Sequence, residues 1–198
     1  VTYALEGSIF NAGTTVQWFR DKAHLIKDAK ETEAIAASLG STKNVYFVPA
    51  FTGLGAPYWD ADARGAILGL TRDSSDKDII RAGVEAVCYQ TKDLINAMQT
   101  DGAQIVTTLR VDGGMATNNW LLQFLSDILQ VTIDRPTSIQ TTALGAAYLA
   151  AMGAGYYANL EEVSEHWQLE RAFSPMMQNT QANDLYAGWL KAIKKVLR

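Results

Sequence analysis

The sequence predicts an α/β domain, and three observations carry that expectation. Short β-branched and aromatic runs alternate along the chain with longer stretches whose apolar residues recur at helical spacing. Glycines stand where one pattern gives way to the other, most plainly at Gly113 and Gly114 in LRVDGGMATNNWLLQFLSDIL. No internal repeat, low-complexity segment or linker divides the 198 residues, so one domain is the economical reading.

Taken in order, residues 3–10 (YALEGSIF) read as a strand and a turn. Val16, Phe19, Leu25 and Ile26 give residues 13 to about 27 a helical period. ETEAIAASLG suggests a second, short helix closed by Gly40. NVYFVPAF is a short buried strand ended by Pro49; a long loop rich in glycine and aromatics follows, then a brief strand in AILGL. A long helix is predicted from about Ser75 to Thr100, capped by Ser75 or Asp76, with Ile80, Val84, Val87, Cys88, Leu94, Ile95 and Met98 as its apolar face. IVTTLRVD is a strand, the glycine pair follows, and a helix begins near Thr117. VTIDRP is another strand, TTALGAAYLAAMGAG a helix of small residues, and a helix from about Gln181 to the end closes the chain with basic residues suited to a helix C-terminus.

Bulk composition removes several function classes. Net charge is −4, which gives no footprint for a nucleic-acid groove or an anionic membrane surface. No apolar run approaches the roughly 20 residues that cross a bilayer. The single cysteine, Cys88, has no partner for an internal disulfide, which suits a reducing cytoplasm. The chain opens on VTYALEGSIF without methionine, which reads as a piece of something longer, with a processed or tag-cleaved terminus as the alternative.

The chemistry is concentrated at the glycine turns. A strand that ends in glycines and leads into a helix lets backbone N–H groups approach a ligand, and the helix start adds unpaired donors and partial positive charge. Such a turn binds phosphate or nucleotide; tight strand–helix packing is the other reason to build one. Asn118 and Asn119 fall in the first turn after Gly113 and Gly114, where a side-chain amide can reach a base or ribose. GSIFNAGTTVQWF repeats the arrangement, with Gly13 at a strand-to-helix turn and Gln17 one turn later. Two turns, Gly13/Gln17 and Gly114/Asn118, would grip a nucleotide from two sides; two unrelated helix starts is the plainer alternative. An exposed first-turn amide at Asn118, carrying little core packing, predicts that Asn118→Ala weakens nucleotide binding without unfolding the chain.

Other signatures fail. There is no GxxxxGK[ST], so the chain is not a P-loop NTPase, and no GxSxG elbow. The GxGxxA match at Gly153, Gly155 and Ala158 follows a helix instead of a strand. DADARG imitates the start of a calcium loop, but Arg64 takes a ligand position and Thr71 stands where a glutamate is required. His24, His166 and Cys88 have no zinc spacing.

Several segments together resemble one family. YALEGSIFNAG, FTGLGAPYWD, ARGAILGLTR, RVDGGMATNNWLLQFLSDIL and TALGAAYLA are similar to the C-terminal domain of the glycerol-phosphorylating members of the FGGY carbohydrate kinase family. The likeness runs from Tyr3 through YAGWLKAIKK, and GAILGLTRDSSDKDIIRAGVE resembles the family's C-terminal signature, departing from it at Gly83, where a larger or hydroxyl-bearing residue is usual. The resemblance implies an actin-like ATPase fold of the ribonuclease H type: a mixed central sheet with helices on both faces. It implies a single C-terminal, nucleotide-binding domain over residues 1–198, with an N-terminal domain absent. It implies ATP or ADP with Mg²⁺ as cofactor, bound through Gly13, Gln17, Gly114 and Asn118, with Asn118 near the adenine. Glycerol is the implied phosphate acceptor, held by the missing domain, which also supplies the catalytic aspartate; no catalytic residue and no resident metal site are expected in this chain. The full-length enzyme is then a cytoplasmic homo-oligomer, and the isolated chain is inactive.

Alternatives stay open at this level: another FGGY sugar kinase, acting on xylulose or gluconate, or a non-catalytic nucleotide-binding or interaction module. Asp60, Asp62, Asp73 and Asp112 adjoin glycine-rich turns without being assigned as a base; Asp112 either fixes its turn or touches a magnesium-bound water. The aromatic loop 51–59 is either cover for the sheet edge or part of a cleft or contact. Ala143, Gly145, Ala146 and Ala147 allow close helix packing, within the core or against the other domain.

Overall fold

The structure, a computed structural model, describes residues 4–198. The chain runs α1 (Gly13–Asp21), α2 (Glu31–Ala37), β1 (Tyr46–Val48), β2 (Ala66–Leu68), α3 (Asp76–Thr100), β3 (Thr108–Arg110), a 3₁₀ turn (Gly114–Thr117), α4 (Asn119–Leu129), β4 (Thr132–Pro136), α5 (Thr141–Gly153), α6 (Leu160–Ser164), β5 (Leu169–Phe173) and α7 (Asn179–Ile193). The larger sheet is mixed, in the order β3-β4-β5: β3 runs parallel to β4 and β5 antiparallel to it. β1 and β2 form a separate antiparallel ribbon, with Phe47 opposite Ile67.

Helix α3 organises the interior. Its 25 residues reach about 37 Å, and every residue from Ile80 to Gln90 is buried. The sequence predicts a single apolar face; the structure surrounds the helix instead. Its polar residues are tolerable there because they satisfy one another. Arg81 Nε donates to Glu85 Oε1 at 2.8 Å, Tyr89 Oη donates to Glu85 Oε2 at 3.2 Å, and Arg81 Nη1 donates to the carbonyls of Ala36 and Leu39 at the end of α2. Burial still pushes the Glu85 carboxyl above its ordinary value, against these donors.

β1 lies between two apolar clusters. Tyr46 and Val48 point into the larger one, with Tyr89, Leu122, Ile128 and Trp189. Val45 and Phe47, on the opposite side of the alternating strand, join Val16, Phe19, Ile26 and Ile80 in the smaller one, which holds α1 against α3. This two-sided burial explains why NVYFVPAF reads as a continuous apolar run.

Helix boundaries follow capping. Ser75 and Asp78 form a reciprocal capping box at the start of α3. α2 ends at Ala37 with Ser38 as C-cap, two residues before the Gly40 expected to close it. α1 stops at Asp21 and not near Lys27, because the chain turns through His24 in a left-handed conformation (φ 54°), and Leu25 donates its N–H back to Phe19. α4 closes without glycine: Gln130 itself is left-handed (φ 58°), and its side-chain amide donates to the Asp127 and Met177 carbonyls.

Other expectations change. Residues 4–9 form no strand, and Tyr3 lies outside the described residues; Leu5 is half-exposed, and no neighbouring strand is present among the described residues to pair with the segment. The strand expected over residues 105–112 shortens to Thr108–Arg110, leaving Ile105 exposed. α7 begins two residues early and ends at Ile193, five residues before the chain end. α6 and β5 were not foreseen, although Asn159 caps α6 through the Glu162 N–H, and Glu162 returns the bond to Ala158.

Two packing details make sharp tests. Gly83 is where the chain departs from the FGGY signature, and a Cβ there would stand 2.3 Å from Phe19 Cζ and 3.2 Å from Thr15 Cγ2. Phe19 is fully buried, pinned by edge contacts with Trp18 and Phe47. Gly83 is therefore the notch in α3 that seats α1. Gly83→Ala gains about 1 kcal/mol of helix propensity but forces an overpacking cost of about 1–3 kcal/mol; a fall in Tm is expected, largely recovered when Phe19→Leu is added.

The second detail ties α3 to α7. Asp93 is buried and accepts from the Tyr186 hydroxyl and, at 2.7 Å, from Trp189 Nε1. Burial raises the Asp93 pKa, although these donors pull the other way. Asp93→Ala strands the indole N–H in the core, so urea unfolding is expected to show a loss of about 2 kcal/mol or more. Asp93→Asn keeps an acceptor and loses less.

Candidate nucleotide-binding cavity

A cavity of about 630 Å³ opens between α1, α2 and the 3₁₀ turn. Gly13, Gln17, Gly114 and Asn118 all line it, so the structure brings the four sequence-predicted residues to one place. The two turns meet directly: a Cβ on Gly13 would touch Met115 Sδ at 4.0 Å.

Each turn is built from local rules. α1 begins at Gly13 behind Ala12, which offers no side-chain cap, while Asn11 is occupied with Thr14 and Thr15. The first N–H groups of α1 are thus left without a side-chain acceptor. No described strand precedes Gly13, so the expected strand-to-helix turn is here a loop-to-helix turn. At the second turn, Gly113 takes φ 81°, a conformation disfavoured for residues with a Cβ, and its N–H is held by the Ile139 carbonyl. Gly114 opens the 3₁₀ turn, and the helix proper starts at Asn119 instead of near Thr117.

The glycines are not there to admit another part of the chain. A Cβ at Gly114 would meet nothing within 4 Å, and one at Gly13 only the methionine sulphur. Tight strand–helix packing, the alternative explanation, has no atom to point to at Gly114.

Asn118 has a second duty that the sequence reading missed. It is half-buried and caps α4, its Oδ1 accepting from the Leu121 N–H at 2.9 Å, while Nδ2 donates to Thr32 Oγ1 at 3.3 Å. The expectation of an exposed amide free of structural duties is therefore corrected: loss of such a cap costs about 1 kcal/mol, which weakens the fold without unfolding it. One Nδ2 hydrogen remains for a ligand. Gln17 is exposed, with no side-chain hydrogen bond among the described residues.

The third wall was absent from the sequence reading. Lys30, Thr32 and Glu33 of the α2 segment line the cavity, and Glu33 accepts from both the backbone N–H and the side-chain amide of Asn119, at 3.2 and 2.9 Å. ETEAIAAS showed a helix; nothing in it showed which helix start it would lie against. Arg20 and Asp28 bring further charge to the rim.

Asp112 is exposed and makes no side-chain hydrogen bond to its turn among the described residues, so the structure gives no support to a turn-fixing role. Among the described residues no group of three or more His, Cys, Asp or Glu gathers as a metal site. Asp60 organises the DADARG loop, accepting from the N–H groups of Asp62, Ala63 and Arg198. In the aromatic loop, Phe51 packs in the α1 cluster and Tyr58 against the main core, whereas Trp59 is exposed.

Comparison with known proteins bears on the family and the fold. The profile of the FGGY family of carbohydrate kinases, C-terminal domain, matches residues 1–154. The glycerol kinase of Alcanivorax borkumensis is 58% identical over 195 residues, covering 98% of this chain and 39% of the relative. That of Coxiella burnetii is 58% identical over 197 residues, covering 100% of this chain and again 39% of the relative. The crystal structure of Plasmodium falciparum glycerol kinase with ADP superposes with a TM-score of 0.87 at 34% identity, over 97% of this chain and 38% of that one. The chain thus spans about two fifths of the length of these relatives. The α/β fold is that of the actin-like, ribonuclease H type kinases. From profile, identity and fold together, the chain belongs to the FGGY family of carbohydrate kinases and matches its C-terminal domain.

Proposed function

We propose that the chain is the nucleotide-binding C-terminal part of an ATP-dependent glycerol kinase, which transfers the γ-phosphate of ATP to glycerol. The observation that carries the reading is the convergence of Gly13, Gln17, Gly114 and Asn118 on one cavity whose glycines have no packing reason among the described residues. The bare backbone at Gly13 and Gly114 would let N–H groups reach the phosphates. The remaining Asn118 donor would lie at the adenine end, with Gln17 reaching in from α1. Mg²⁺ would enter with the phosphates, since such a site commonly needs only one or two carboxylates besides them.

The rest of the enzyme would lie outside this chain. It would hold glycerol and the base that deprotonates it, leaving these residues to bind and orient the nucleotide. Helix α5 supports the division: it is apolar, yet none of its residues is buried, and Leu149 is 64% exposed. We assign Ala143, Gly145, Ala146 and Ala147 to contact with that missing part, and not to the core of this domain. Buried Cys88, its thiol pushed well up by burial, is inert and suits the cytoplasm.

An NMR titration with Mg-ADP tests the reading. Saturable shifts at Gly13, Gln17, Gly114 and Asn118 are expected; saturable binding that leaves these four unmoved, or no binding to either the chain or the full-length kinase, counts against it. Two substitutions separate the roles of Asn118. Asn118→Ser keeps an N-cap acceptor but loses the amide Nδ2 donor, which its shorter hydroxyl does not replace, so Tm should hold while Mg-ADP affinity drops by roughly tenfold. Asn118→Ala should lose both affinity and about 1 kcal/mol of stability.

A further inference from the structure

We propose that Arg135 is a positioning residue for the nucleotide cavity: from behind it, the guanidinium fixes the 3₁₀ turn and, through Asn119, the α2 wall. The inference rests on reading that cavity as the nucleotide site. Arg135 lies in β4, is 9% exposed and does not line the cavity. Its donors diverge to three partners. Nη1 donates to the Ala116 carbonyl at 2.9 Å, Nη2 to Asn119 Oδ1 at 3.0 Å, and Nε to Glu170 Oε2 of β5 at 2.5 Å.

The Ala116 contact matters because of its neighbours. Ala116 is itself buried, and the residues around it in the turn, Gly114, Met115, Thr117 and Asn118, all line the cavity. Holding that one carbonyl holds the turn. The Asn119 contact extends the hold: Asn119 accepts from Arg135 and donates through Nδ2 to Glu33, on the opposite wall. A continuous chain of hydrogen bonds therefore runs Glu170–Arg135–Asn119–Glu33, from the sheet edge to α2. Lysine can keep the ion pair with Glu170, but a single ammonium cannot reproduce a planar fork aimed at both Ala116 and Asn119. The ion pair itself is secondary, because the Glu170 side chain is 45% exposed and water screens it.

The test uses Arg135→Lys, Glu170→Gln and Asn119→Ser, each compared with the unsubstituted chain. In the ligand-free protein, amide hydrogen exchange is followed at Ala116 and Asn118, whose N–H groups close the turn on the Gly113 and Met115 carbonyls. Arg135→Lys is expected to speed exchange at these two amides roughly tenfold while α7 is unchanged, and to weaken Mg-ADP binding by roughly tenfold. Glu170→Gln should shift neither by more than about twofold. Asn119→Ser leaves the guanidinium in place and cuts its link to Glu33; a weaker hold on Mg-ADP is expected here too. Unchanged turn exchange and affinity in Arg135→Lys, exchange that rises everywhere alike, or a Glu170→Gln variant that reproduces the full loss would each overturn the assignment. If the unsubstituted chain and the full-length kinase both fail to bind Mg-ADP, the nucleotide reading falls, while the ligand-free exchange still decides whether Arg135 holds the turn.

Discussion

The burial of α3 on every side from Ile80 to Gln90 is the constraint on which the rest of the structure depends. A helix with Arg81, Glu85, Tyr89 and Gln90 in its buried stretch is stable only if these groups find partners, because an unpaired buried charge costs several kcal/mol (about 3–5 when one partner of a pair is removed). Here the partners are also the architecture. Arg81 binds the last carbonyls of α2, and its guanidinium lies 4.8 Å from the Trp120 ring of α4. Gln90 reaches the carbonyl of Asn11 just before α1. The polar groups that make α3 difficult to bury are the ones that orient α1 and α2, which bound the cavity, and α4, which follows its 3₁₀ turn.

From this frame the glycines divide by what they face. Gly83 admits Phe19 and Gly188 admits the ring of Tyr46; at both, a Cβ would fall well inside contact distance, so the fold requires them. Gly13 and Gly114 face open space at the cavity wall. The first kind is explained by packing and the second is not, although both look alike in the sequence. On the proposed reading a ligand would account for the second kind, and membership of a kinase family with an ADP-bound glycerol kinase as a structural neighbour says which ligand to try.

The sequence was most legible where local chemistry decides. The start of α3 followed from Ser75, β1 from its apolar run, and the glycine turns from their position between patterns. It was least legible where distant partners decide. Residues 4–9 have strand-like composition but, among the described residues, no strand beside them, and a strand cannot satisfy its own backbone. β5 carries Leu169 and Phe173 at alternating positions, a signal present but broken by Arg171, whose guanidinium lies 4.6 Å over the Phe173 ring. Of the cavity lining, the four residues at the glycine turns were readable because a glycine ahead of a helix start has a local form. Thr32 and Glu33 on α2, and Arg135 behind them, were not, since only the folded chain sets them beside the 3₁₀ turn.

The central claim is that Gly114 serves a ligand and not the fold. Gly114→Val tests it most directly, by measuring thermal stability and Mg-ADP affinity on the same sample. With nothing within 4 Å of the added Cβ, Tm should stay within about 0.5 kcal/mol equivalent of the parent chain, while affinity falls by roughly tenfold or more as the side chain enters the space left for the phosphates. A marked loss of stability with affinity intact would contradict the account, and would return the glycine to the packing of the chain itself.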